Sequence, residues 1–253
     1  MTILLTADDP PAAEYMPPTT CPECLIICEH AGLAMPRALG RLGLDPHLDL
    51  AEQHIAWDIG AKAVASGLAQ TLGAGFIWQN YSRLLIDCNR VPHSPQSIRQ
   101  DSDHIPIPGN HDLTMAEKTA RVDEIFKPYD DLCRREMARD NIKLTISMHS
   151  FTPQMDGEAR PWNMSFLYRE GAQYARQMAA IISSSEPDLH IGFNVPYQVN
   201  EDTDWFVMQH AEPKGIAHLL IELRNDQLRQ QADIDVWVNR LAKATLTMLD
   251  QIR

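Results

Sequence analysis

The chain has 253 residues, with 22 Lys and Arg against 34 Asp and Glu and a formal net charge of −12, and is long enough to bury a sizeable core in one large α/β domain. The acidic residues are spread along it, which disfavours nonspecific binding to nucleic acid or an anionic membrane and leaves a small molecule as the expected partner. No stretch approaches the ~20 apolar residues of a membrane span, the start M-T-I-L-L-T-A-D-D-P-P lacks a basic n-region, and five cysteines make an odd count, so a cytoplasmic protein is expected.

In chain order, Pro10, Pro11, Pro17 and Pro18 predict an extended, poorly ordered arm over 1–22, ahead of a single domain over 23–253. Cys21-Pro22-Glu23-Cys24 is a C-x-x-C with no second pair, and it precedes a strand rather than following one. It reads as incidental, although with Cys28 it leaves a non-enzymatic zinc or thiol-switch protein as one alternative. Residues 25–28 form a short apolar strand. Over 47–72, Leu50, Ile55, Ile59, Ala63, Leu68 and Leu72 recur at helical spacing, predicting a long amphipathic helix stopped by Gly73. Residues 76–78 and 84–86 read as strands joined by a tight turn at Asn80-Tyr81-Ser82. Pro92, Pro95, Pro106, Pro108 and Gly109 keep 91–113 irregular, and so long a loop is expected to line a site. A helix from 114 to about 140 follows, then a strand over 144–148 that runs into His149. A loop over 152–163, a strand over 166–168, a helix over 172–183 and strands over 190–193 and 217–223 lead to a closing helix capped by Asp233. Strands alternating with helices indicate a three-layer α/β/α sandwich.

Three apolar strands thus end in an ionisable residue: His30, His149 and Glu222. Such side chains are costly to desolvate unless paired or metal-bound, so a shared site is the economical explanation. Two imidazoles and a carboxylate are most of a catalytic zinc site, with His54 or Asp58, spaced i and i+4 on the predicted helix, open as the remaining ligand. In Y-S-R-L-L-I-D-C-N-R (81–90) the alternation of a strand would put Arg83, Asp87 and Asn89 on one face. They would form either a buried Arg83–Asp87 ion pair or a fork of donors for a substrate carboxylate.

The set C-E-H-A-G (28–32), H-I-A-W-D-I-G-A (54–61), Y-S-R-L-L-I-D-C-N-R (81–90), S-M-H-S-F-T-P (147–153), R-P-W (160–162), N-x-P-Y (194–197) and I-E-L-R-N-D (221–226) resembles the N-formylglutamate amidohydrolase family. The resemblance implies a mixed central sheet like that of zinc carboxypeptidases and one zinc, or another divalent metal, on His30, Asp58 and His149. It further implies catalysis by Glu222 with Arg83, and a small anionic acyl-amino-acid substrate held by Arg83, Asn89 and Arg90, with Arg224 as a further cation. Glu29 and His54 are expected behind the ligands, orienting them. After the N-R, V-P-H-S-P-Q-S-I-R-Q stands where members acting in histidine breakdown carry a tyrosine/glycine-rich loop, so the part meeting the distal end of the substrate differs. A deacylase or peptidoglycan-type amidase using the same residues on a larger substrate is the second alternative.

Overall fold

The computed structural model describes residues 3–200 and 203–252. Seven strands, β1 (Ala13–Met16), β2 (Cys21–Cys28), β3 (Ala74–Gln79), β4 (Leu144–Phe151), β5 (Met164–Leu167), β6 (Ile191–Phe193) and β7 (Ala217–Arg224), form one sheet in the order β1-β3-β2-β4-β7-β5-β6. The central strands β3, β2, β4 and β7 are mutually parallel, β1 and β5 pair antiparallel with β3 and β7, and β6 runs parallel to β5. The sheet is therefore mixed, as the family resemblance implies.

The two-residue period of the central strands sorts their side chains into two layers. Cys24, Ile26 and Cys28 of β2, Leu144, Ile146 and Met148 of β4, and Leu219, Ile221 and Leu223 of β7 pack on the helices α1 (Ala61–Leu72), α4 (Ala172–Ser185) and α5 (Gln231–Gln251). Leu25 and Ile27 of β2 and Leu220 of β7 face the second layer, built from long loops and from α2 (Met115–Arg121) and α3 (Lys127–Met137), which are joined by the wide turn Val122–Phe126. On that second face β4 carries Thr145, Ser147 and His149, all buried. A polar stripe inside a buried central strand needs partners, and those partners make the site.

Four sequence expectations need correction. The helix expected over 47–72 begins only at Ala61, preceded by a short turn, Leu50–Glu52, capped by Asp49. The apolar residues Leu50, Ile55 and Ala56 do pack inward, but the backbone bonds across the fold: Asp58 N–H donates to the His30 carbonyl (3.0 Å) and Arg83 N–H to the Ala56 carbonyl (3.2 Å). Gly60 turns the chain into α1 at φ +82°, so close to Leu228 that a Cβ there would lie 2.3 Å from the Leu228 Cβ. Residues 84–86 are buried but do not form a strand, because their carbonyls bond to side chains: Leu84 O accepts from Asn110 Nδ2 and Leu85 O from Arg121 Nη1, both at 2.8 Å. The N-terminal stretch is extended but docked, with β1 on the sheet and the Leu4 and Leu5 amides donating to Glu124. Asp233 falls inside the first turn of α5, whose N-cap is Gln230.

Candidate active site

Because β2, β4 and β7 are adjacent and parallel, their C-terminal ends open on one edge, where ligand clefts of α/β sheets form. His149 and Glu222 are direct register partners on β4 and β7. β2 ends at Cys28 and the chain turns at Glu29 and His30, so both side chains reach the cleft side instead of pointing apart as they would on a strand. The cleft, which His30, His149 and Glu222 line, has a volume of about 410 Å³, within the range of small-molecule sites.

At its floor His30, Asp58 and His149 are all buried. Asp58 Oδ2 lies 3.3 Å from His30 Nδ1 and 2.9 Å from His149 Nδ1. The opposite ring nitrogens are held by carboxylates: His30 Nε2 by Asp87 Oδ1 at 2.7 Å, and His149 Nε2 by Glu29 Oε2 at 3.2 Å. Ser147 Oγ, 2.9 Å from both His149 Nε2 and Glu29, locks the latter pair. Each imidazole is thereby gripped from behind while its Nδ1 faces its fellow ligands, the support that metal-binding histidines ordinarily have. One ligand atom from each of His30, Asp58 and His149 lies within 4.8 Å of the others. Ligands ~2.0 Å from a tetrahedral ion stand roughly 3.3 Å apart, so the donor set and spacing suit a divalent cation such as zinc.

The charges of this floor are strongly coupled. Burial would raise the carboxyls of Glu29 and Asp58, but His149 and His30 outweigh it and hold both below the usual carboxylate range. Burial would likewise lower His149, yet Glu29 and Asp58 keep it well above an ordinary imidazole. Glu222 differs. Its Oε2 is buried with no hydrogen-bond partner among the described residues, and burial, opposed by His149, pushes its carboxyl up to about 8. A carboxyl poised near neutral pH in a cleft suits proton transfer.

The other expected residues are distributed differently. Arg83 is committed to the floor itself: Nε and Nη2 donate to Asp87 Oδ2 (3.0 and 2.6 Å), and Nη1 to Asp58 Oδ1 (3.3 Å). Its ion pair with Asp87 thus exists, made by a turn with i, i+4 spacing rather than by a strand face. Asn89 lines the cleft, but its amide bonds Asp204 Oδ1 (3.3 Å) and the Phe206 N–H (3.4 Å). Arg90, also on the wall, donates to the main-chain carbonyls of Asn89 and Thr203. Arg224 is off the cleft lining, tied to Asp226 Oδ1 (2.8 Å) and the carbonyls of Arg160 and Pro161 (both 3.3 Å). His54 lies at the mouth, 3.7 Å from Asp103 Oδ2, and makes no hydrogen bond to Asp58 among the described residues.

Asp87, expected as the ion-pair partner of Arg83, does more than that: its carboxylate also links His30 and the Asn89 backbone N–H. Two further contributors escape a sequence reading. Ser147 sits two residues before His149 on the same strand face, so the period of two could have found it. Asp204, buried on the cleft wall and pushed up to about 6 by burial, follows an acidic run with no apolar pattern to mark it. Asp87→Asn is expected to weaken metal affinity by roughly 10–100-fold, as read by competition against a chromophoric chelator.

The C-x-x-C cysteines lie along β2 in the opposite, helix-covered layer. The Cys24 thiol is raised by its hydrogen bond with Cys21 and by burial, and the Cys28 thiol by burial, so neither offers a thiolate at neutral pH.

A mixed α/β sheet that gathers two supported imidazoles, an aspartate and a buried glutamic acid in one cleft has the makings of an amide hydrolase. The chain belongs to the N-formylglutamate amidohydrolase family, whose profile matches residues 23–229. Its fold is similar to that of a gene product of Agrobacterium tumefaciens (30% identity, 98% of this chain and 99% of that one, TM-score 0.91). It also resembles the N-formylglutamate amidohydrolase of Ralstonia eutropha (14% identity, 96% and 98%, TM-score 0.72). Comparison with curated protein sequences found no match. Among the described residues no helix is long and apolar enough to cross a membrane.

Proposed function

We propose that the protein is a zinc-dependent amidohydrolase that cleaves the C–N amide bond of a small N-acyl amino acid resembling N-formylglutamate. The observation that carries this reading is Glu222, a buried carboxyl whose Oε2 has no hydrogen-bond partner among the described residues, in strand register with His149 beside a cation-ready His30, Asp58 and His149 group. A divalent metal held by those three residues would supply Lewis-acid polarisation of the amide carbonyl and would acidify water. Glu222 accepts the proton of the attacking water and delivers it to the amide nitrogen as the C–N bond breaks, so that acid and amine leave with atoms balanced. Asp87 and Glu29 keep the two imidazoles oriented through the cycle. Arg83, partly buried beside Asp58, adds positive charge where the carbonyl oxygen becomes negative, and Arg90 offers its remaining N–H groups to the substrate's α-carboxylate. With the metal, these arginines offset the floor's carboxylates, which is why an acidic protein can receive an anion. The cytoplasm stays its expected compartment, on the odd cysteine count.

The test is a screen of N-formyl, N-acetyl and longer N-acyl amino acids with zinc-reconstituted protein, following release of the free amine. Turnover of small acyl amino acids with no release from peptidoglycan fragments is expected. Activity on the fragments alone would make this a cell-wall-type amidase.

A further inference from the structure

Three arginines line the cleft, Arg83, Arg90 and Arg99, and their commitments differ. Arg83 spends Nε, Nη1 and Nη2 on Asp58 and Asp87, and Arg90 is bonded to two main-chain carbonyls. The exposed Arg99 guanidinium has no hydrogen bond or ion pair among the described residues. Its backbone, by contrast, is pinned on both sides. Ser97 O accepts from the Asp87 N–H at 2.7 Å, and Gln100 O accepts from the Ile107 N–H at 2.8 Å. Arg99 O accepts from Asn110 Nδ2 at 2.6 Å, while Asn110 Oδ1 is held at 2.7 Å by Arg121, a residue 1% exposed. The fold therefore invests a buried arginine and an asparagine in fixing where Arg99 leaves the chain, and leaves its charged end unspent.

We propose that Arg99 is the specificity-determining residue of the cleft, reading a second anionic group at the end of the substrate distal to the scissile amide. The proposal rests on the N-acyl-amino-acid reading above and deepens it. The buried floor holds the reacting bond, and the α-carboxylate falls to Arg90, whereas Arg99, an exposed residue, and its loop neighbour Ser102 also line the cleft. An unpaired guanidinium on the rim of a concave site attracts an anion and can grip a carboxylate through two parallel hydrogen bonds. Because the loop backbone is already fixed, binding orders one side chain rather than a loop. A merely solvated surface arginine would make no distinction between substrates.

The experiment is titration calorimetry of the zinc-reconstituted protein with N-acetylglutamate and with N-acetylglutamine, which differ only in the distal carboxylate. The wild type is expected to bind the acid about tenfold more tightly than the amide, the worth of a hydrogen-bonded charge. In Arg99→Gln that ratio should fall to about two or less, chiefly through weaker binding of N-acetylglutamate, and Arg99→Lys should recover part of it. A ratio near one in the wild type, an intact ratio in Arg99→Gln, or no binding of either compound overturns the proposal. Failure of the underlying reading looks different: no N-acyl amino acid is hydrolysed, while the binding ratio can still be read.

Discussion

Glu222→Gln is expected to bind zinc as the wild type does and to lose turnover by roughly 10²–10⁴-fold, the contribution of a positioned proton-transfer group. The substitution preserves shape and leaves His30, Asp58 and His149 with their supports, so metal content is the internal control. Near-normal turnover would remove Glu222 from the mechanism. The same variant carries a second signature in metal-free protein. The folded-state pKa of Glu222, about 8, lies above its ordinary 4.5, so the stability this group contributes is present in full below pH 4.5 and is lost as pH rises towards 8. Glutamine has no proton to lose. The melting temperatures of the two proteins should therefore be alike near pH 4.5 and diverge at pH 8, with the variant higher.

His30→Ala is the second large effect. On the proposed reading it removes one of three metal ligands, and it also takes a ring-nitrogen partner from both Asp58 and Asp87. Abolishing hydrolysis follows from the first consequence. From the second, leaving buried carboxylates without a hydrogen-bond partner costs about 1–3 kcal/mol, so the metal-free variant should melt below metal-free wild type. Loss of activity without loss of stability would mean that His30 does not anchor this network.

How much of this was legible follows from where each signal is stored. His30, His149 and Glu222 stand out because an ionisable side chain at the end of an apolar run is costly to bury, and the structure places all three on one edge of three neighbouring strands. Asp58 does not stand out: it lies in an irregular segment whose apolar residues happen to recur at helical spacing, and its position comes from backbone bonds to His30 and from the close approach of Gly60 to Leu228. The family resemblance, not periodicity, singles it out over His54. The expected strand over 84–86 fails for a related reason. Three buried aliphatics satisfy a strand pattern, but Asn110 and Arg121, distant in sequence, bond the carbonyls at 84 and 85. Arg83 and Arg224 show the limit of reading charge from sequence, because an arginine near a site gives no hint of whether an aspartate already holds it.

On the proposed reading the imidazoles and aspartate at the floor of the cleft, and not the cysteines of β2, hold a catalytic metal. Zinc bound per chain, measured on purified protein after reconstitution and dialysis, tests it most directly when His30→Ala is compared with Cys21→Ser. One zinc per chain is expected in the wild type and in Cys21→Ser, and none retained in His30→Ala. Zinc lost from Cys21→Ser and kept by His30→Ala would contradict it.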